Sequence, residues 1–370
     1  MPTSTMAAVV HRPGGPFELE NVEIDDPRPD ELLVRIVACG LCHTDLAARD
    51  GAFGGHFPAV FGHEGAGIVE RVGKGVDRVK PGDKVVISFS SCGKCSECRH
   101  GRPSQCRAFD ELNFDEDGKR QDGTATIRDS AGNMIGGCFF GQSSLARHAL
   151  TRERSVIPVE TASEDELALL APFGCGAQAG AGTVLNELMP GQGESLAVFG
   201  TGTVGLAALM AARLAGASPI LAIDKVPSRL QLAMELGADF GINSKTEDVG
   251  KRIAEIAGKI DYAVETTGVS RIIDRAVQSL APQGKLSMLA VFADEGSERI
   301  TPKSPDPGQT VIYSIAGDSV PQKFIPFLIE FFRKGQFPLD RLIREYPASE
   351  INRAVADSLA GTTIKPVIRF

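Results

Sequence analysis

Residues Ser195–Gly216 read "SLAVFGTGTVGLAALMAARLAG", and this stretch decides the fold. Four apolar residues, Leu196–Phe199, make a strand-like run that ends in G-x-G-x-x-G at Gly200, Gly202 and Gly205. A helical pattern opens directly behind it, and Asp224 closes the next apolar run. Gly200 permits the tight turn, Gly202 lets the backbone approach a pyrophosphate, and Gly205 allows helix and strand to pack closely, while the helix N-terminus favours the anion. Asp224 is placed to accept from the adenosine ribose hydroxyls and to repel a 2'-phosphate, which favours NAD over NADP; Lys225 and Arg229 soften that preference. Val204, on the first turn, is expected to pack near the cofactor as well as the core. Together these features predict an α/β unit with a doubly wound, Rossmann-type parallel sheet.

The pattern extends on both sides of this turn. After about Gly176, apolar runs such as "PILAID", "DYAVETTG" and "KLSMLAV" alternate with helical stretches such as "SRLQLAMELGA", the signature of βαβ units. From Met6 to about Phe89 the chain reads instead as short strands between turn signals, which suggests a small β-barrel or sandwich. The polar segment between Cys106 and Phe139 has no sustained periodicity and reads as a long surface loop or hairpin, a lid or an oligomer contact. The last fifty residues are mixed, with "PQKFIPFLIEFFRKGQF" helical and "KPVIRF" a closing strand. A chain of 370 residues exceeds the size at which single cores stop growing. We expect residues 177–318 to form the nucleotide domain and 1–176 with 319–370 to form the other.

The net charge of -8 and the lack of a Lys/Arg run argue against a nucleic-acid partner. No apolar run reaches the roughly 20 residues needed to span a bilayer, and "MPTSTMAAVVHRPGG" lacks the regions of a secretory signal. A cytoplasmic location is the expectation. Thiols stay reduced there, so regularly spaced cysteines favour a metal over disulfides.

Four of the eight cysteines fall in "SCGKCSECRHGRPSQC", Ser91–Cys106. Cys92, Cys95, Cys98 and Cys106, spaced C-x2-C-x2-C-x7-C, can wrap one zinc ion tetrahedrally, with an iron–sulfur cluster or a disulfide pair as alternatives. Four sulfurs leave no open position, so such a zinc is structural. A catalytic zinc keeps a vacancy and draws few ligands from distant places. Cys42 in "GLCHTD", His63 and Glu64 in "GHEGAG", and Cys175 in "FGCG" stand out by context, although each taken singly also reads as an ordinary buried residue.

The order "GLCHTD", "GHEGAGIVERVGKGV", "PGDKVV", the cysteine lobe, "FGCG" and "GTGTVG" resembles the zinc-dependent medium-chain alcohol dehydrogenases over essentially the whole chain. "CFFGQSSLARHAL" further resembles the aryl-alcohol (benzyl-alcohol) branch. The resemblance implies a GroES-like (chaperonin-10-like) β-barrel catalytic domain carrying the zinc lobe at 90–107, to which the C-terminal segment returns. It also implies two zinc ions per chain, with Cys42, His63 and Cys175 on the catalytic one and Glu64 as alternate ligand. Asp45 would orient His63, Thr44 would pass the substrate proton, and Lys365 would sit near the pyrophosphate.

Many relatives end the proton relay with a histidine near position 47, and this chain has no titratable group at Ala47 or Ala48. His43 is therefore the candidate relay or base, or alternatively a phosphate contact; His56 is a weaker one, and His11, His100 and His148 are read as structural or solvated. Phe139 and Phe140 match family positions on the substrate cleft, with Phe53, Phe57, Leu289 and Val291 adding apolar surface. Adjacent residues on a strand point to opposite faces, so at most one of the Phe139–Phe140 pair would face a pocket. The implied reaction is NAD-linked oxidation of a primary alcohol, benzyl alcohol or a similar aromatic one, to its aldehyde. The alternatives are an aliphatic, terpenoid or polyol alcohol, or a non-catalytic zinc- and nucleotide-binding sensor. The family assembles as dimers or tetramers, and "TVIYSIAG" is placed to pair across a two-fold axis.

Overall fold

The computed structural model describes residues 2–290 and 306–370, so Val291 lies outside the described residues. The chain divides into two units. One runs to Cys175 and takes up Val320–Ile329 and Leu339–Phe370; the other comprises Gly176–Ser319 and Glu330–Pro338. A single cut near residue 319 does not describe this boundary, because Glu330–Pro338 carries the fully buried Phe337 into the nucleotide unit.

The nucleotide unit is built on a six-stranded parallel sheet in the order Phe240–Asn243, Ile220–Asp224, Leu196–Phe199, Ile260–Glu265, Leu280–Met288 and Thr310–Tyr313. Leu196–Phe199 and Ile220–Asp224 are buried at every position, as strands covered on both faces must be, which is why they read as unbroken apolar runs. Gly200 turns the chain with φ +94°, and the helix Thr203–Ala215 then starts behind Gly202 and stops at Gly216 in the left-handed conformation.

The first unit holds two sheets. Its longest strand, Glu31–Gly40, pairs with Glu64–Val72, His148–Arg152 and the closing strand Lys365–Arg369, all antiparallel. The second sheet runs Ala59–Val60, Thr3–Val10, Glu18–Ile24, Ile127–Arg128 and Met134–Ile135. The last two strands are a hairpin inside the polar segment after Cys106, which is therefore anchored and is not a free lid. A buried guanidinium anchors it further: Arg120 donates to Glu31 at 2.8 and 2.9 Å and to Asp25 at 2.8 Å. Among the described residues no single helix is long and apolar enough to cross a membrane.

Candidate active site

Cys42 caps the short helix His43–Arg49, and the first turn of that helix supplies Asp45. The fully buried Asp45 carboxylate accepts from the Cys42 amide at 2.8 Å through one oxygen. Through the other it accepts from the Gly62 amide at 3.0 Å and from His63 Nδ1 at 2.8 Å. One acid thus locks two separate segments and fixes the His63 tautomer with its proton on Nδ1. His63 and Glu64 enter the strand Glu64–Val72, and Cys175 follows the turn Ala171–Gly174. One ligand atom from each of Cys42, His63, Glu64 and Cys175 lies within 4.8 Å of the others.

His63 Nε2 is buried and has no hydrogen-bond partner. An orphaned imidazole nitrogen facing two thiols is costly unless something binds it, and an N,S,S donor set suits zinc with a position left open. The thiols share a proton unequally. A hydrogen bond from Cys175 holds Cys42 below the usual thiol range, and bonding to the Cys42 sulfur holds Cys175 above it. Burial works against a charged His63, but Asp45 and Cys42 outweigh it and raise the ring's pKa. The lowered Cys42 pKa favours the thiolate, the form in which sulfur ligates.

Glu64 is completely buried and burial raises its pKa to about 7, against the pull of Lys365. Lys365, expected at the pyrophosphate, is engaged elsewhere: its Nζ donates to both Glu64 oxygens at 2.9 and 3.0 Å and to the Leu41 carbonyl at 3.2 Å, and the side chain is 2% exposed. A buried carboxylate demands a buried cation, which overrides any reach toward solvent. Gly40 completes the arrangement, because a Cβ there would overlap the Glu64 carboxylate.

The four lobe cysteines also converge within 4.8 Å. Backbone amides point at their sulfurs, Cys92 N to Cys106 Sγ at 3.2 Å and Cys95 N to Cys92 Sγ at 3.3 Å. Backbone donors, the Arg107 amide first, bring Cys95 down to about 6, whereas burial pushes Cys98 up to about 12.

Thr44 Oγ1 lies 3.7 Å from Cys42 Sγ, and His43 is exposed on the same helix. His11 pairs with Glu20, His148 with Thr5 and Glu70, and His100 is exposed. Phe139 and Phe140 are not on a strand. They form a 3-10 turn in which Phe140 has φ +51°, and this left-handed step swings both rings to His63. Phe140 stacks on the imidazole at 4.4 Å and Phe139 meets it edge-on at 5.6 Å. Sequence reasoning missed Phe114, whose ring centroid lies 5.0 Å from Phe53, 6.1 Å from Phe139 and 4.9 Å from Phe140. A solvent-open pocket abuts this cluster, with Phe53, Phe57, Phe61, Phe114 and Phe139 on its wall and His56 at its edge.

In the nucleotide unit, a Cβ at Gly202 would meet no atom within 4 Å, so the cradle at the helix start is open to a ligand. Asp224 accepts from Thr201 N and Oγ1 at 2.7 and 2.8 Å on one oxygen and from Val226 N at 2.9 Å on the other. A carboxylate has about four acceptor sites, so one remains for a ribose hydroxyl. Val204 is half-buried on the first turn, Lys225 is exposed, and Arg229 keeps a buried Nε with no partner. Leu289 lies in this unit just past Leu280–Met288, its amide donating to Glu265 O.

An N,S,S centre in one unit and a dinucleotide-type parallel sheet in the other define a metal- and nucleotide-dependent oxidoreductase. Residues 28–161 match the family model "Alcohol dehydrogenase GroES-like domain" and 203–334 match "Zinc-binding dehydrogenase". The chain is 42% identical to a geraniol dehydrogenase of Castellaniella defragrans, over 99% of this chain and 98% of that one. Among solved structures, it superposes with TM-score 0.95 on an alcohol dehydrogenase zinc-binding domain protein from Burkholderia ambifaria, 45% identical with both chains fully covered. It superposes with TM-score 0.92 on the benzyl alcohol dehydrogenase of Acinetobacter calcoaceticus, 39% identical over 100% of this chain and 99% of that one. The chain belongs to the medium-chain, zinc-binding alcohol dehydrogenase family.

Proposed function

We propose that this enzyme interconverts an apolar primary alcohol and its aldehyde with NAD, and that its preferred substrates are aromatic alcohols such as benzyl alcohol. The observation that carries the substrate class is the ring cluster beside His63. Phe53, Phe57, Phe61, Phe114, Phe139 and Phe140 meet mostly edge-on or tilted, with centroids 4.9 to 6.1 Å apart. A wall of this kind favours a flat apolar group. The 39% identical benzyl alcohol dehydrogenase supports the reading. The 42% identical geraniol dehydrogenase favours a second one, an unsaturated terpenoid alcohol.

Cys42, His63 and Cys175 are the residues that would hold the catalytic zinc, and the lobe cysteines the structural one. A zinc ion there supplies a charge that lowers the pKa of an alcohol hydroxyl, and a bound nicotinamide supplies the two-electron acceptor. Asp45 keeps the His63 ring from turning and leaves Nε2 as its free acceptor. Thr44 Oγ1 accepts the alcohol proton and hands on its own. Beyond Thr44, with alanines at 47 and 48, exposed His43 carries the proton outward or meets a cofactor phosphate. Glu64, tied to Lys365, stays beside the ligands as a possible alternate ligand, and the two phenylalanines keep water from His63.

Tyr313 is 54% exposed on the outermost strand of the parallel sheet, which supports a homodimer or homotetramer joined there. The test is metal content together with turnover of benzyl alcohol, geraniol, ethanol and sorbitol with NAD and NADP. Two zinc ions and highest kcat/KM on benzyl alcohol with NAD are expected. Higher kcat/KM on geraniol, ethanol or sorbitol removes the aryl reading, and a single zinc confined to the lobe removes the enzyme reading.

A further inference from the structure

We infer that Gln142 is a positioning residue for the catalytic metal site, a side-chain amide that brackets Glu64 and holds the His63 backbone in ligating position. It is 1% exposed. Its Nε2 donates to the His63 carbonyl at 2.9 Å and, more weakly, to the Ser88 carbonyl at 3.4 Å. Its Oε1 accepts from the Gly65 amide at 3.2 Å and from Ser144 Oγ at 2.8 Å. The partners fix the amide's orientation, since the flipped form would set donors against the Gly65 N–H.

A glutamine imitates a peptide group, with a donor for one carbonyl and an acceptor for the amide two residues on. Methionine offers neither, and a carboxylate cannot donate. The surroundings are built for this contact. Ser144 N and Leu145 N donate to Gly62 O and Phe61 O, both at 2.9 Å, and end the backbone pairing just where Gln142 takes over. Glycine at 65 leaves room, because a Cβ would sit 3.1 Å from Gln142 Oε1 and 2.8 Å from Ser144 Cβ. Two non-glycine residues flanking Gln142, Phe140 at φ +51° and Ser143 at φ +47°, hold the left-handed conformation that L-residues avoid. Such backbone persists where its surroundings over-determine it, characteristically at functional sites. Asp45 grips the His63 ring and Gln142 its main chain, from segments far apart in sequence.

The inference rests on the reading that Cys42, His63 and Cys175 hold zinc, and the experiment separates the two. Zinc release from intact, two-zinc protein is followed with 4-(2-pyridylazo)resorcinol, for wild type, Gln142→Met, Gln142→Glu and Ser144→Ala, alongside thermal melts. Wild type should release a fast, catalytic ion and a slow, lobe ion. Partners that orient metal ligands are worth roughly 10- to 100-fold in affinity, so Gln142→Met should speed the fast phase at least about tenfold with the lobe phase unchanged. Gln142→Glu, which keeps the Gly65 bond and loses the His63 one, should fall between. Ser144→Ala, which leaves both backbone bonds, should stay within about threefold of wild type. If only one ion is present in wild type, the zinc reading fails. If wild type holds two and the folded Gln142 variants release them at wild-type rates, or Ser144→Ala matches Gln142→Met, or both phases accelerate together, the positioning role is refuted.

Discussion

Gly202 and Gly205 stand three residues apart in one motif, yet the structure assigns them different burdens, and replacing each with alanine separates them. A Cβ at Gly205 would overlap the Gly200 carbonyl oxygen and sit 3.0 Å from its carbon and 3.1 Å from Val198 Cγ1, where ordinary contact begins at 3.4 Å. The obstacle is backbone on one side and a buried valine on the other, so the helix must shift. Overpacking of this kind costs about 1 to 3 kcal/mol, and a backbone obstacle belongs at the upper end. At Gly202 a Cβ meets nothing, and φ -80° with ψ -168° is extended backbone that alanine adopts freely. The loss of a favourable N-cap glycine and the gain from a stiffer unfolded chain are each a fraction of a kcal/mol to about 1 and oppose one another. Gly202→Ala should therefore melt within about a degree of wild type, while a methyl between the backbone and the pyrophosphate weakens NAD by tenfold or more, about 1.4 kcal/mol. Thermal melts of the ligand-free protein and titration calorimetry with NAD measure the two effects; the chain has no tryptophan to report binding by quenching. Comparable melting losses in the two variants, or wild-type NAD affinity in Gly202→Ala, would refute the reasoning.

Other outcomes follow from the same structure. Cys175→Ser should abolish turnover and the catalytic zinc while the protein stays folded, whereas Cys98→Ser should lower the melting temperature first; metal content and melting curves check both. Lys365→Met strands the Glu64 charge and should cost about 3 to 5 kcal/mol in denaturant unfolding, much of it recovered by adding Glu64→Gln; no recovery would mean that the lysine acts other than as the counter-charge. Glu265, fully buried, has its pKa raised by burial against the donors of Thr267 and Gly268. Its folded value lies above the unfolded one, so its stabilising contribution is present below the unfolded pKa and is lost as pH rises through the folded pKa. The stability difference between wild type and Glu265→Gln should shift against wild type from about pH 4.5 upward, and a flat difference across that range contradicts the assignment. Phe114→Ala should raise KM for benzyl alcohol more than for ethanol, and an equal change for both would remove Phe114 from the substrate wall.

How far the sequence could be read depends on what each residue answers to. The βαβ alternation after Gly176 is legible because a strand covered on both faces must be apolar along its length, a constraint each residue meets locally. The pair Phe139–Phe140 defeats the period-two rule because one left-handed residue between Cys138 and Gly141 cancels strand alternation, a step that neither ring's identity announces. Phe114 gains its place through the turn of Phe109–Asn113, inside a stretch whose polarity reads as loop. Charge, by contrast, leaves a non-local trace. "GHEGAG" buries a carboxylate beside two thiols and a histidine, and a carboxylate so placed must find a cation. The same need explains the glycine at 40, which no turn requires: Gly40 is the residue opposite Glu64 in the strand pairing, and its missing Cβ is the room the carboxylate occupies. The sequence shows the acid and the glycine but not their pairing across the sheet, so Lys365 reads as a pyrophosphate contact until the closing strand brings it to Glu64.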